Sequence, residues 1–365
     1  MFREAIEKMA AYKPGEQPRP GERLIKLNTN ENPYPPSPRV RRAIAHAAAD
    51  GLRLYPAPRG DAFVASAAKL YAIREDMILA GNGSDELLAM IFRATLGAGD
   101  TVAYPIPTYS LYDTLASIQE ARVLGFPVAH DFSLPLDQLA EARAALTIVC
   151  SPNSPSGVST PTAKLAKLAR ALQGRLLVID EAYVDFAEEN AFALLRRFPN
   201  VVVLRTLSKS FSLAGMRLGL CFARPPVIEE LMKVKDSYNL SRIALAAGAA
   251  ALDDSGWMRR NVERVKHTRD LTIARLRKLG FEVPDSSANF VLARMAGHDM
   301  ASLVRKIREA GILVRYFPTP MLHDAIRISI GTPAEMNALL KAIDANLAVI
   351  SSASNLNGSA PRARR

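Results

Sequence analysis

LLVIDEAYVDF, residues 176–186, sets the fold class. Leu176 to Ile179 run without a polar break and stop at Asp180. A strand that is apolar on both faces belongs in a sheet covered by helices on both sides. The same signature recurs upstream in MILA (77–80), TVAY (101–104) and LTIVC (146–150), and downstream in VVVLR (201–205) and LGLCFA (218–223). Helical patterns separate these runs, among them TPTAKLAKLARALQG. There Thr160 is a candidate N-cap, Pro161 fits the first turn and Gly174 can close the end. The spacing predicts an α/β domain on a mostly parallel sheet.

On the N-terminal side, residues 1–38 are proline-rich and irregular, ending in LNTNENPYPPSP, and form an arm. Helical periodicity begins after it, with Val40, Ala43, Ile44, Ala47 and Ala48 on one face, and continues in DAFVASAAKLYA. The large domain is thus assigned to 39–250. Beyond it come a long helix (about 256–279), ANFVLARM, a helix near 300–310, ILVRYF and AIRISIG. Thr332 and Glu335 frame a capping box around Pro333. Half-polar strands with helices predict a smaller α+β domain over 251–350. The stretch SSASNLNGSAPRARR, 351–365, has no acidic and almost no apolar residue and is expected to be a disordered tail.

Of the 365 residues, 49% are hydrophobic and 23% charged, which excludes a disordered or collagen-like chain. No apolar run approaches the ~20 residues of a membrane helix, and MFREAIEKMA lacks a signal core, so a cytoplasmic protein without a membrane partner is expected. Cys150 and Cys221 make no disulfide framework and lie in apolar strand patterns as packing residues. The net charge of +11 is spread among acidic residues without basic runs interleaved with aromatics, so no nucleic-acid partner is expected. The five histidines show no metal-ligand spacing, and no metal is expected.

Ligands of open parallel sheets bind beyond the carboxyl ends of the strands. Four segments occupy that place: GNGSDELL after MILA, SPNSPSG after LTIVC, Asp180 with EAY behind it, and TLSKSFSLAGMR after VVVLR. GNGSDELL suits either an anion held at a helix start or a tight turn with an ordinary capped helix. Asp180 is either a helix N-cap or a buried carboxylate that needs a partner. Lys209 is either a solvated loop lysine or a desolvated amine of the kind used in Schiff-base chemistry. Their combination, with Arg217 eight residues on, is much rarer than any one alone.

With LNTNENPYPPSP (27–38), GNGSDE (81–86), PTYSLY (107–112), SPNSPSG (151–157), DEAYVDF (180–186), TLSKSFSLAGMRLG (206–219), SYNLSR (237–242) and IRISIGT (326–332), the chain resembles the fold-type I pyridoxal-phosphate aminotransferases. Within them it is most similar to the histidinol-phosphate aminotransferases. The resemblance spans nearly all of residues 12–350. It implies a seven-stranded, mostly parallel sheet in the large domain, a pyridoxal 5'-phosphate cofactor and a homodimer. It also implies amino transfer between L-histidinol phosphate and 2-oxoglutarate, giving imidazole-acetol phosphate and glutamate, a reaction of histidine biosynthesis.

The resemblance further implies residue roles. Lys209 would bond the cofactor covalently and then serve as acid and base, and Asp180 would pair with its ring nitrogen. Asn153 and Tyr183 would hydrogen-bond the phenolic oxygen, and Tyr109 would stack on the ring. The phosphate would sit on Gly83, Ser84 and Asp85, with Ser208, Arg217 and, from the neighbouring subunit, Tyr55. Arg327 would clamp the substrate carboxylate, Tyr12 and Arg315 would bind its phosphate, and Asn153 would also touch substrate. From pattern alone Arg327 reads rather as a surface strand arginine, since Ile326, Ile328 and Ile330 face the other way. The rival assignments are an aromatic amino acid aminotransferase, a phosphothreonine-type decarboxylase and a non-catalytic cofactor-binding regulator.

Overall fold

The computed structural model describes residues 1–12, 14–49 and 51–356. Its strands are β1 (Ile25–Leu27), β2 (Ile78–Gly81), β3 (Thr101–Ile106), β4 (Arg122–Pro127), β5 (Leu146–Cys150), β6 (Leu176–Asp180), β7 (Val201–Thr206), β8 (Gly219–Phe222), β9 (Phe290–Arg294), β10 (Ile312–Tyr316) and β11 (Ala325–Ser329). Among the described residues they form two sheets. The larger has seven strands in the order β2-β8-β7-β6-β5-β3-β4. Every pairing in it is parallel except those of β8, which runs antiparallel to both neighbours. β5, β6 and β7 lie at its centre, buried almost throughout, and separate apolar clusters cover the two faces.

The six strands read from the sequence all form. The seventh, β4, escapes the pattern because it is an edge strand paired only with β3. It is largely exposed and carries Gly125 and Pro127, both of which weaken a strand signal. The helix expected from Thr160 begins instead at Thr162. Thr160 does not cap it; the Thr162 N–H donates to Glu189 Oε2 at 2.8 Å, so a residue remote in sequence does the capping. Gly174 follows the helix with φ +80°, where a left-handed residue is needed.

The smaller sheet has the order β1-β10-β11-β9. β1 pairs parallel with β10, bringing Ile25 opposite Ile312 and Leu27 opposite Val314. The proline-rich arm is therefore not wholly irregular. It also holds a short helix, Glu4–Lys8, and its Leu27 and Tyr34 belong to the small-domain core. Three residues carry too little periodicity to announce a strand.

Residue 250, drawn as the domain boundary, falls inside the helix Arg242–Asp253, and the chain turns at Asp254 before the helix Ser255–Lys278. The Thr332–Glu335 capping box is present, with reciprocal bonds of 2.7 and 3.3 Å. The helix it starts runs from Pro333 to Leu356, so 351–356 are helical rather than tail, in a stretch with no glycine or proline to stop it. Residues 357–365 of the expected tail lie outside the described residues.

One close approach ties the sheet to the turn that follows β2. A Cβ on Gly219 would lie 2.5 Å from the carbonyl carbon of Gly83 and 2.7 Å from the Ser84 nitrogen. Only glycine lets β8 pass this turn. Gly219→Ala is expected to push the turn away and cost about 1–3 kcal/mol of stability, read by urea unfolding. A variant as stable as the parent would mean that the contact relaxes freely.

Candidate active site

Burial dictates the state of the first group. Asp180 ends β6, where its neighbours in register are Cys150 of β5 and Leu204 of β7, and it is 3% exposed. Burial raises its pKa to about 6 against the opposing effect of two donors. Tyr112 donates its hydroxyl to Oδ2 at 2.8 Å, and the Ala182 N–H donates to Oδ1 at 3.1 Å. Asp180 is therefore a partnered carboxyl group, not a helix cap.

Lys209 follows β7 on the loop that turns back toward β8. Its Nζ donates to the carbonyl of Thr29 at 3.2 Å and lies 5.7 Å from the centre of the Tyr183 ring. Burial lowers its pKa to about 8, with the positive charge of Arg327 acting in the same direction. The amine is thus closer to its neutral, nucleophilic form than an ordinary lysine. The Tyr183 hydroxyl accepts from Asn30 Nδ2 at 3.0 Å, and burial pushes its pKa up to about 12.

Both residues border a cavity of about 960 Å³. At one end Ser84 and Asp85 open the helix Gly83–Thr95. Arg217 reaches them with φ +52°, bonding Asp85 Oδ2 at 3.1 Å and the Ser208 hydroxyl at 3.3 Å. Gly83 itself takes φ +82°, and a side chain there would strike the Arg217 guanidinium at 2.6 Å. The result is a helix start and a guanidinium facing one space, the chemistry of an anion site. Tyr109 forms part of the wall, its hydroxyl donating to Asp85 Oδ1 at 3.1 Å.

The other end is built by the small sheet and the arm. Arg315 of β10 and Arg327 of β11 are direct cross-strand partners, and both line the cavity. Arg327 donates to the Ser154 hydroxyl at 3.1 Å and the Asn28 carbonyl at 3.0 Å, while its buried Nε has no partner. Burial, and then the charge of Arg315, lower its pKa. Arg315 donates to the Pro14 carbonyl at 3.2 Å. Tyr12 stands beside Tyr109, ring centres 6.3 Å apart.

Three expected residues do not line this cavity, among them Tyr55, which is expected to serve the neighbouring subunit. Tyr55 is 78% exposed and stacks on Tyr238 at 4.4 Å, away from this cavity. Gly83 acts by making room rather than by lining the wall. Asn153 lies behind the wall. Its oxygen accepts from Thr108 at 2.9 Å, and its amide donates to the Pro107 carbonyl at 3.1 Å and to Ser156 at 3.4 Å.

The structure adds groups that pattern does not single out. Tyr112 stands three residues after Tyr109, across the turn in which its N–H donates to the Tyr109 carbonyl at 3.1 Å, and that spacing is the signal that could have found it. Residues 28–30 supply carbonyls to Arg327, Lys209 and Asn289 in turn. Asn30 has φ +59°, which its sequence context does not reveal.

Residues 22–343 match the family model for aminotransferase class I and II. A histidinol-phosphate aminotransferase of Trichormus variabilis is 45% identical over 342 residues, 94% of this chain and 97% of that protein. One from Citrifermentans bemidjiense is 46% identical over the same shares. Among solved structures, the histidinol-phosphate aminotransferase of Sinorhizobium meliloti in complex with pyridoxal-5'-phosphate superposes with a TM-score of 0.86 at 29% identity. That match covers 96% of this chain and 98% of that one.

Asp180 gives a measurable consequence. Its folded pKa lies above the unfolded one, so folding favours the protonated acid. Asp180 supports the fold below about pH 4 and opposes it as pH rises through about 6. In the cofactor-free protein, Asp180→Asn should gain on the order of 2 kcal/mol at pH 7.5 and little at pH 4, by urea unfolding at both values. An equal gain at the two pH values would show that the carboxyl is not desolvated.

Proposed function

Because the chain belongs to the aminotransferase class I and II family, we propose that it is a pyridoxal-phosphate-dependent enzyme moving the amino group between L-histidinol phosphate and 2-oxoglutarate. The observation that carries the substrate assignment is the pairing of Arg315 with Arg327 directly across β10 and β11. Like charges placed opposite each other in an antiparallel pair destabilise it. Two guanidiniums on one cavity wall suit both substrates in turn: the doubly charged phosphate of histidinol phosphate, and the two carboxylates of 2-oxoglutarate. The curated relatives described above support the same choice by name.

The residues present fit the cofactor. A buried carboxyl, an amine of lowered pKa and a guanidinium beside a helix start surround one space large enough for a flat phosphorylated ring. When bound, that ring supplies an electron sink for the pair left behind when a substrate C–H bond breaks. Lys209 would hold the cofactor through Nζ and, once released, carry the proton to and from the substrate Cα. Asp180, fixed by Tyr112 and the Ala182 N–H, would keep the proton on the ring nitrogen. Tyr109 would cover one ring face.

Ser84, Asp85, Ser208 and Arg217 would grip the phosphate, with Gly83 leaving the guanidinium its place. Tyr183 would donate to the phenolic oxygen, and Asn153 would join it once its Nδ2 gives up the Pro107 carbonyl or Ser156. Arg327 would bind the carboxylate of glutamate or 2-oxoglutarate, bidentate and already stripped of water. Arg315 and Tyr12 would bind the phosphate of histidinol phosphate.

The assembly is proposed to be a homodimer acting in the cytoplasm. Tyr55, Leu52, Leu54 and Tyr238 form an exposed apolar group that a second copy would cover, bringing Tyr55 to the partner's phosphate site. No described helix is long and apolar enough to cross a membrane.

Three outcomes test the assignment. Lys209→Ala should abolish turnover and the visible absorbance of bound cofactor while far-UV circular dichroism stays unchanged; retained turnover would remove the proposal. Arg327→Ala should weaken 2-oxoglutarate by about 2–5 kcal/mol, read as KM, because a desolvated carboxylate loses its partner. In the parent enzyme, histidinol phosphate should be preferred to phenylalanine and tyrosine in a direct assay, and the reverse order would assign an aromatic aminotransferase.

A further inference from the structure

Asn30 has every hydrogen-bonding group of its backbone and side chain engaged, in a position 1% exposed. Its N–H donates to Ser329 Oγ at 2.8 Å, and the Ser329 hydroxyl donates back to Asn30 Oδ1 at 2.9 Å. Its carbonyl accepts from Asn289 Nδ2 at 2.9 Å. Its own Nδ2 donates to the Tyr183 oxygen at 3.0 Å. Ser329, on β11, is 2% exposed, and Asn30 provides both the donor and the acceptor of its hydroxyl.

Proton bookkeeping settles which way the Asn30 amide points. Reversed, it would aim two N–H groups at Ser329 Oγ and deprive the serine proton of its acceptor. The reversed amide would also present an oxygen to Tyr183 and take that hydroxyl's proton. As oriented, the amide gives a proton to the Tyr183 oxygen, so the phenol proton must point elsewhere. The elsewhere is the cavity, which Tyr183 lines together with Lys209.

We propose that Asn30, locked by Ser329, is a positioning residue that keeps the Tyr183 proton directed into the cavity, toward the phenolic oxygen of the cofactor. The inference rests on the pyridoxal-phosphate reading above. A phenol aimed this way stabilises the negative charge on that oxygen and so lowers the pKa of the proton shared with Lys209. The lock joins β11 of the small sheet to a residue on the turn just after β6 of the large one. It therefore makes proton affinity at Lys209 depend on a serine that touches neither cofactor nor substrate.

The test is the pH titration of the visible absorbance of the cofactor-loaded protein, followed without substrate. Ser329→Ala adds no charge and frees the amide to turn. It should raise the midpoint by about half a unit or more. Ser329→Thr, which restores the hydroxyl, should return the midpoint to the parent value. Asn30→Asp, tolerated by the same backbone conformation, places an acceptor beside Tyr183 and should raise the midpoint further.

In a Tyr183→Phe background, Ser329→Ala should add less than about 0.2 of a unit, because the effect runs through the phenol. An unchanged midpoint in Ser329→Ala overturns the inference, as does an equal shift with and without Tyr183. Loss of folding in both Ser329→Ala and Asn30→Asp would reduce the hub to a packing element and overturn it too. A parent protein with no visible band at all would instead overturn the cofactor reading.

Discussion

Two cations, Lys209 and Arg327, share one buried space, and consecutive backbone carbonyls hold them: Thr29 for the lysine, Asn28 for the arginine. Bringing positive charge out of water is costly unless it finds a partner; Arg327 makes the lysine harder to charge, and Arg315 does the same to Arg327. The lysine responds by tending toward its neutral form. The arginine cannot, and waits with an unpartnered Nε for an anion. The proposed nucleophile and the proposed anion receptor are thus two answers to one electrostatic problem. A short piece of irregular chain separates them.

The opposite end of the cavity solves a problem of approach rather than charge. A phosphate held by backbone N–H groups requires that nothing stand between it and the turn. Gly83 clears the turn for Arg217, and Gly219 lets the neighbouring strand lie directly on it. The antiparallel strand β8 brings both elements together, since Arg217 comes just before it and Gly219 opens it. The one irregularity in an otherwise parallel sheet thus lies where the proposed anion site is assembled.

How much of this could be read beforehand follows from how local each cause is. β5, β6 and β7 announce themselves because burial on both faces leaves an unbroken apolar run. β4 does not, because an edge strand keeps its solvent face and its Gly125 and Pro127 resemble a loop. Lys209, Asp180, Arg217 and Arg327 stand at strand ends or in strand patterns, and the motifs around them carry the family resemblance. Asn30 and Tyr112 act through partners 299 and 68 residues away, and no spacing rule reports such distances. Asn153 shows the opposite failure. Its motif is plain, yet its amide bonds Thr108 and Pro107 and lies behind the wall, a matter of rotamer rather than of sequence.

The three residues of β1 give the arm a mechanical character. Pairing with β10 ties the arm to the small sheet, and the next residues along it hold Lys209 and Arg327 by their carbonyls. Any swivel of the small sheet would pull this short lever and carry the Thr29 oxygen with it. The electrostatic setting of the amine is thereby geared to the orientation of a separate layer of the molecule, and clamping that layer onto a doubly charged guest would be felt at the nitrogen without any wire of side chains between.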